Sequence, residues 1–243
     1  MLLSKNISST VGKINAKYGL IKENDNILVG FSGGKDSTTL LHCLNHLKKV
    51  APFDFRFKAV TVTYGMGEEL SFLSSHCKKY GIEHEIINTN IYELSSQKIR
   101  KNSSFCSFFS RMRRGHLYST ALEQGFNKVA LGHHLDDAIE SFFMNFFNNG
   151  TMRSMPPIYQ AQNSLYIIRP LIFSRERQLK AFCSSNKIKV IGDEACPAMR
   201  FDIKMPHSRE TTKKLLVKLE KKNPEIFISM KKAFSNIQTS TFF

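Results

Sequence analysis

The chain predicts an α/β fold: a doubly wound parallel sheet with a helical C-terminal extension. Three observations carry this expectation. Apolar, β-rich stretches alternate with helix-like stretches as far as Ile168. One of them, Ile27 to Phe31, runs through the pair Gly33-Gly34 straight into a helix-like segment. From Ser174 onward the pattern is helical. Alternation of this kind covers both faces of a parallel sheet, and ligands then bind at the carboxyl ends of the strands, near a topological switch point. A length of 243 residues suits a single domain, 1–243, with its helical segment starting at about residue 174.

The elements follow in order. An amphipathic helix opens the chain, with Ile7, Val11 and Ile14 on one face. Strands are predicted at Ile27–Phe31, Phe57–Thr63, Glu83–Ile87, Lys128–Leu131 and Leu165–Ile168. Helices are predicted at Thr38–Val50, Glu68–Tyr80, Ser110–Gln124 and Asp136–Asn148. The last of these puts Ile139, Phe142, Phe143, Phe146 and Phe147 on one stripe. That spacing predicts core packing, with a platform for stacking nucleobases as the alternative. Two basic helices, around Thr211–Lys221 and Pro224–Ile237, close the chain.

Charge narrows the partners. Lys and Arg number 35 against 20 Asp and Glu, and the net charge of +15 suits a polyanion; RNA and ATP both qualify. No apolar run approaches the ~18 residues that a membrane span needs, and the first residues lack a secretory apolar core. A cytoplasmic protein with no membrane partner is therefore expected. The five cysteines are odd in number and dispersed, which in a reducing compartment argues against a disulfide framework. Cys43, Cys77 and Cys183 lie in apolar helical patterns and read as small core residues.

Three segments carry chemistry. The first is Ser32-Gly33-Gly34-Lys35-Asp36-Ser37. A strand, a glycine turn and a helix N-terminus together make an anion site, because N–H groups point at the ligand and the helix dipole favours negative charge. Paired glycines let the backbone approach a phosphate closely, and the spacing is not that of a Walker loop. The second is Gly132-His133-His134-Leu135-Asp136-Asp137, directly after a predicted strand. Acids opening a helix can cap it; beside a triphosphate they can hold Mg²⁺ or orient a nucleophile, and a phosphate loop in the same sheet favours the second role. Gly132 and His133 are candidates for lining the nucleotide pocket, although either histidine also fits a structural role. The third places Cys106 just before Arg111-Met112-Arg113-Arg114 at a helix start. That cationic setting favours a thiolate, and the arginines suit phosphate or RNA, with a solvated face as the alternative.

The first segment resembles the PP-loop of the ATP pyrophosphatases, which cleave ATP between the α and β phosphates. With it stand Cys106-Ser107, Ser110-Arg111-Met112-Arg113-Arg114-Gly115, the Gly132 to Asp137 segment, Met155-Pro156-Pro157, Ile168-Arg169-Pro170-Leu171 and Ser174-Arg175-Glu176. Together these resemble the tRNA-cytidine 2-sulfurtransferase (TtcA-like) family, from roughly Val11 to Ile237. The resemblance implies an adenine nucleotide alpha-hydrolase-like fold. It implies an enzyme that adenylates the C2 carbonyl of a tRNA cytidine, replaces the oxygen with sulfur, and releases AMP and pyrophosphate. Ser32, Gly33, Gly34, Lys35, Asp36 and Ser37 would hold the pyrophosphate, with Asp36 assisting Mg²⁺. Asp137 would act near the adenylation centre, and Arg113 and Arg114 would stabilise phosphate charge or tRNA. The implied partners are tRNA, a sulfur donor and a second copy of the chain, since family members are often dimers.

One departure matters. The family carries two Cys-x-x-Cys pairs, and three of those cysteines hold a 4Fe–4S cluster. Here Phe109 replaces one cysteine and Asp193 another, leaving Cys106 and Cys196. Three routes stay open: a cluster completed by Asp193, a cluster-free persulfide route through Cys106 and Cys196, or ATP activation for another nucleophile. The functional alternatives are a ligase or amidase of the lysidine-synthase type and a degenerate paralogue that binds nucleotide or RNA.

Overall fold

The computed structural model describes residues 3–98, 105–161, 164–192 and 208–241. In chain order the elements are α1 (Lys5–Tyr18), β1 (Asn26–Gly30), α2 (Lys35–Val50), β2 (Arg56–Val62), α3 (Ser71–Lys79), β3 (His84–Ile87), α4 (Ile91–Lys98), α5 (Phe105–Glu123), β4 (Lys128–Ala130), α6 (Leu135–Asn149), β5 (Ile158–Gln160), β6 (Tyr166–Ile168), α7 (Glu176–Ser185), α8 (Ser208–Lys222) and α9 (Ile226–Ala233). They fall into two compact units: Met1–His134 with Pro156–Met205, and Leu135–Met155 with Pro206–Phe243. Among the described residues no helix is long and apolar enough to cross a membrane.

The first unit holds one sheet, ordered β3-β2-β1-β4-β6-β5. β1 pairs in parallel with β2 and β4, β2 with β3, and β4 with β6. The chain runs outward from β1 through β2 to β3 on one side and continues through β4 on the other. The order therefore reverses between β1 and β4, and the crevice at their carboxyl ends is the switch point where such sheets bind ligands. Ile27, Leu28 and Val29 are all fully buried, as a central strand covered on both faces requires.

The predicted elements are present with shifted bounds. α2 begins at Lys35 rather than Thr38, because Gly34 takes the extended N-cap position (φ −72°, ψ 164°) and the polar residues after it form the first turn. α3 begins at Ser71 rather than Glu68. Glu68 and Glu69 precede it and cap loop N–H groups: Glu68 accepts from Tyr64 N–H and Met66 N–H, and Glu69 accepts from Ser71 N–H. Two elements lack a prediction, α4 and the antiparallel edge strand β5. β5 has only three residues, too few to display a period of two.

The second unit contains α6, α8 and α9, with α6 packed on α8 and α8 on α9. Here the core expectation for the phenylalanine stripe is corrected. Ile139 is buried, Phe142 and Phe143 are half-buried, and Phe146 and Phe147 are 47% and 55% exposed. Helical spacing did align them: Phe142 stacks on Phe146 and Phe143 on Phe147. How deeply a stripe is buried depends on partner elements, which spacing does not encode.

In the first unit, α2 packs against α7, and His42 of α2 pairs with His76 of α3. His42 Nε2 lies 2.9 Å from His76 Nε2, and Tyr80 and Phe182 contact the His42 ring edge-on or tilted. Burial, with the neighbouring His76, pushes His42 down from 6.5 to about 4, and burial also lowers His76. The folded state thus keeps a neutral imidazole that the unfolded chain protonates near pH 6.5. The stability this provides is complete above pH 6.5 and is lost as pH falls toward 4, by roughly 1–3 kcal/mol. Thermal melts between pH 7 and 4.5 are expected to fall less steeply for His42→Leu than for the wild type; equal slopes would refute the assignment.

Candidate active site

The glycine loop leaves β1 at its carboxyl end and enters α2. Gly33 has φ +77°, which favours glycine, and a Cβ there would stand 2.7 Å from Ile191 Cδ1 and 2.8 Å from Leu73 Cδ2. The loop's hydroxyls are bonded inward. Ser32 N–H donates to Ser37 Oγ (3.2 Å), Ser37 Oγ donates to Gly34 C=O (3.1 Å), and the two hydroxyls lie 3.0 Å apart. No side chain caps α2. Its first-turn N–H groups are thus presented as an anion site at a helix N-terminus.

Lys35 is placed by two carboxylates, with Nζ 3.2 Å from Asp36 Oδ2 and 3.0 Å from Glu176 Oε1. Burial works to lower the ammonium's pKa, but Asp36 and Glu176 outweigh it, so Lys35 sits above its ordinary range and stays charged. Glu176 opens α7. Two turns along the same helix, Cys183 Sγ lies 3.5 Å from Lys35 C=O and 3.8 Å from Thr39 Oγ1. These contacts set the register of α7 against the loop helix.

The segment after β4 joins the loop through a glycine. A Cβ on Gly132 would stand 3.1 Å from both Asp36 C and Ser37 N, so a side chain here would push the two backbones a few tenths of an ångström apart. His134 is buried, with Nε2 3.7 Å from Asp36 Oδ1. His133 instead accepts a hydrogen bond at Nδ1 from Arg169 Nε–H (3.2 Å). Ser32 through Ser37 and Gly132 are thus brought together, with His134 the histidine beside Asp36.

Arg113 lies on α5 and reaches Tyr64, just past β2. Its Nη1 donates to the Tyr64 hydroxyl (2.8 Å), and its Cζ sits 5.0 Å from that ring's centroid. Arg113 Nε is buried with no hydrogen-bond partner.

Asp137 belongs to the second unit. Its carboxylate accepts from Arg209 Nη2, and Arg209 Nε donates to Glu140 Oε2 at 2.9 Å. Burial raises Glu140 above the usual carboxylate range against the pull of Arg209. A cavity of about 310 Å³ is lined by Asp137 and Arg209 with Ser141, Asn145 and Asn148. Cys106 lies on the first turn of α5, and its side chain lies outside the described residues, as do Asp193 and Cys196 entirely.

Glu176, Tyr64, Arg169, His134 and Arg209 were not picked out as site candidates from the sequence. Glu176 and Arg169 stood inside quoted motifs, but what they touch depends on how distant segments pack. For Tyr64 and Arg209 no local pattern was available.

A switch-point crevice between β1 and β4, holding an uncapped glycine loop with a fixed lysine, defines an α/β nucleotide-binding domain of the PP-loop class. A family model described as a PP-loop domain matches residues 3–204. Two relatives named tRNA-cytidine(32) 2-sulfurtransferase are 39% and 36% identical. The first, from Geobacter sulfurreducens, aligns with 96% of this chain and 90% of its own length. The second, from Pseudomonas syringae pv. syringae, aligns with 98% and 86%. The chain belongs to the PP-loop ATP pyrophosphatase superfamily and, within it, to the tRNA-cytidine 2-sulfurtransferase (TtcA-like) family. Two solved structures share the fold. The U34-tRNA thiolase NcsA of Methanococcus maripaludis, with its 4Fe–4S cluster, has a TM-score of 0.73 at 23% identity over 96% of this chain and 80% of that one. The NH3-dependent NAD synthetase of Campylobacter jejuni has a TM-score of 0.52 at 14% identity, over 99% and 90%.

Proposed function

We propose that this chain is an ATP-dependent tRNA sulfurtransferase that adenylates a nucleobase carbonyl, C2 of a cytidine, and replaces its oxygen with sulfur. The observation that carries the reading is the intact phosphate loop in a chain that aligns almost end to end with tRNA-cytidine(32) 2-sulfurtransferases. The proposal treats 1–243 as one catalytic domain in a cytoplasmic protein, with tRNA as substrate, a separate sulfur donor, and a homodimer as its assembly.

The residues fit a nucleotide triphosphate. The first-turn N–H groups of α2 receive β and γ phosphate oxygens, and Gly33 and Gly34 keep side chains out of their way. Lys35 sits beside the loop with its charge retained. Asp36 is the carboxylate for Mg²⁺, and the buried Arg113 Nε–H gains a phosphate oxygen as acceptor. When bound, ATP supplies an adenylyl group that turns the carbonyl oxygen into a good leaving group. The carbonyl oxygen bonds to the α-phosphorus as pyrophosphate departs. A sulfur nucleophile then attacks C2, and the C–O bond breaks to release AMP. Arg113 serves the charge that develops in these steps.

For the cluster, the donor set is one thiolate short. Cys106 and Cys196 remain, and Asp193 is a harder ligand than such sites use. No step is therefore routed through a cluster, and Cys106 is the thiol we assign to sulfur transfer. A sulfane-sulfur donor charges it as a persulfide, and the outer sulfur attacks C2 as AMP leaves. The Cys196 thiol then attacks the Cys106 sulfur, breaking the S–S bond to leave the thionucleoside and a Cys106–Cys196 disulfide that an external thiol reduces. The replaced cysteines also favour one competitor, a lysidine-synthase-like ligase. A pyrophosphate assay with and without Cys106 separates them. For thiolation, Cys106→Ala keeps tRNA-stimulated pyrophosphate release but forms no thionucleoside; for ligation the variant makes product like the wild type.

A further inference from the structure

Arg169, which follows β6 directly, takes no part in the steps above, yet it is only 6% exposed. Besides His133, its side chain donates through Nη1 to Pro156 C=O at 2.8 Å, and its Cζ lies 5.1 Å from the Tyr159 ring centroid. All these partners are neutral, since a histidine nitrogen that accepts carries no proton. Among the described residues no carboxylate lies within ion-pair distance of it. Burial lowers Arg169, but a guanidinium remains charged. Buried charges in proteins are ordinarily paired, and among the described residues this cation lacks a counter-ion.

The neighbours do not supply one. The Tyr118 and Tyr159 hydroxyls lie 3.4 Å apart, and burial pushes the Tyr118 phenol up, so it stays neutral. One turn before Tyr118 on the same face of α5 stands Arg114, exposed, adding a second positive charge that Arg169 feels. A buried guanidinium, a surface guanidinium and two phenols, with no acid among them, make half of an anion site. Val29, Ala130 and Ile168 share one register across the sheet, which puts Arg169 on the same carboxyl edge as the glycine loop but across β4 from it.

We propose that Arg169 and Arg114, with the Tyr118 and Tyr159 hydroxyls, form a second phosphate site, distinct from the pyrophosphate loop. Its ligand is a phosphodiester of the RNA substrate, which the exposed Arg114 can meet at the surface. The inference rests on the tRNA reading above. A nucleotide phosphate has the same chemistry, so the test reads both sources.

The experiment measures binding of unmodified tRNA by anisotropy over a salt series, and of ATP by calorimetry, for the wild type, Arg114→Gln, Tyr159→Phe and Arg169→Gln. Arg169→Gln and Arg114→Gln are each expected to weaken tRNA binding about 10- to 100-fold. The slope of log K against log salt should drop by about 0.7–0.9 per lost contact, with ATP affinity unchanged. Loss of ATP affinity instead would assign the site to the nucleotide's phosphate and overturn the RNA assignment. Unchanged binding of both ligands overturns the site itself. Arg114→Gln decides the matter even if Arg169→Gln does not fold, because Arg114 is exposed. If the wild type binds no tRNA, the functional reading fails, a result the variants alone cannot produce.

Discussion

Lys35→Ala is expected to lower kcat/KM for ATP-dependent pyrophosphate release by about 10²–10³-fold, the usual cost of removing one fixed electrostatic group from a charge-developing centre. The lysine is poised for this role. Its ammonium is held by Asp36 and Glu176 at 3.2 and 3.0 Å, and charge is retained despite partial burial. Lys35→Arg should recover only part of the rate, because a planar fork does not occupy the place of a compact ammonium between two carboxylates. Steady-state kinetics on folded variants checks this. An unchanged kcat/KM in Lys35→Ala would remove Lys35 from the phosphate site.

The second large effect lies at the opposite edge of the sheet and concerns stability. Lys128, the first residue of β4, ion-pairs with Asp25 at 2.5 Å, each side chain 6% exposed. Its Nζ also donates to Leu20 C=O (2.9 Å). Asp25 in turn accepts from Asn127 Nδ2 (2.8 Å) and Lys22 N–H (2.6 Å). Breaking such a pair leaves a buried charge uncompensated, at a cost of about 3–5 kcal/mol. Against a total stability of roughly 5–15 kcal/mol, Lys128→Met should lower the melting temperature by about 6–20 °C. The double variant Asp25→Leu/Lys128→Met should regain much of the loss. ATP affinity of the folded single variant should stay at wild-type level, since the pair stands at the amino ends of the strands. A neutral Lys128→Met melt would show that the pair contributes little.

What could be read from the sequence follows the range of the signal. The glycine loop and the strand before it were legible because turn, charge and β-pattern all lie within eleven consecutive residues. The same holds for β2, β4 and β6, whose apolar runs are buried in the sheet. β5 was too short to show a period. The start of α2 was missed because its first turn is polar and serves the loop. The phenylalanine stripe had the right spacing, but depth of burial is a tertiary property. Within the site, Ser32 to Ser37 and Gly132 share a local signature. Glu176 and Arg169 acquire their roles only when α7 and β6 are packed against α2 and β4, over 130 residues from the loop in sequence. Whether Asp193 and Cys196 complete a sulfur site falls outside the described residues.

The central claim is ATP-driven exchange of oxygen for sulfur on a tRNA cytidine. Its most direct test is mass analysis of nucleosides from unmodified tRNA incubated with the protein, ATP, Mg²⁺, a sulfane-sulfur donor (cysteine with a cysteine desulfurase) and a thiol reductant under anaerobic conditions. The account predicts 2-thiocytidine in the digest, in step with AMP and pyrophosphate, and absent without ATP or with Lys35→Ala. Pyrophosphate formed in equal amount with no thionucleoside, or with a different adduct on the base, would contradict it.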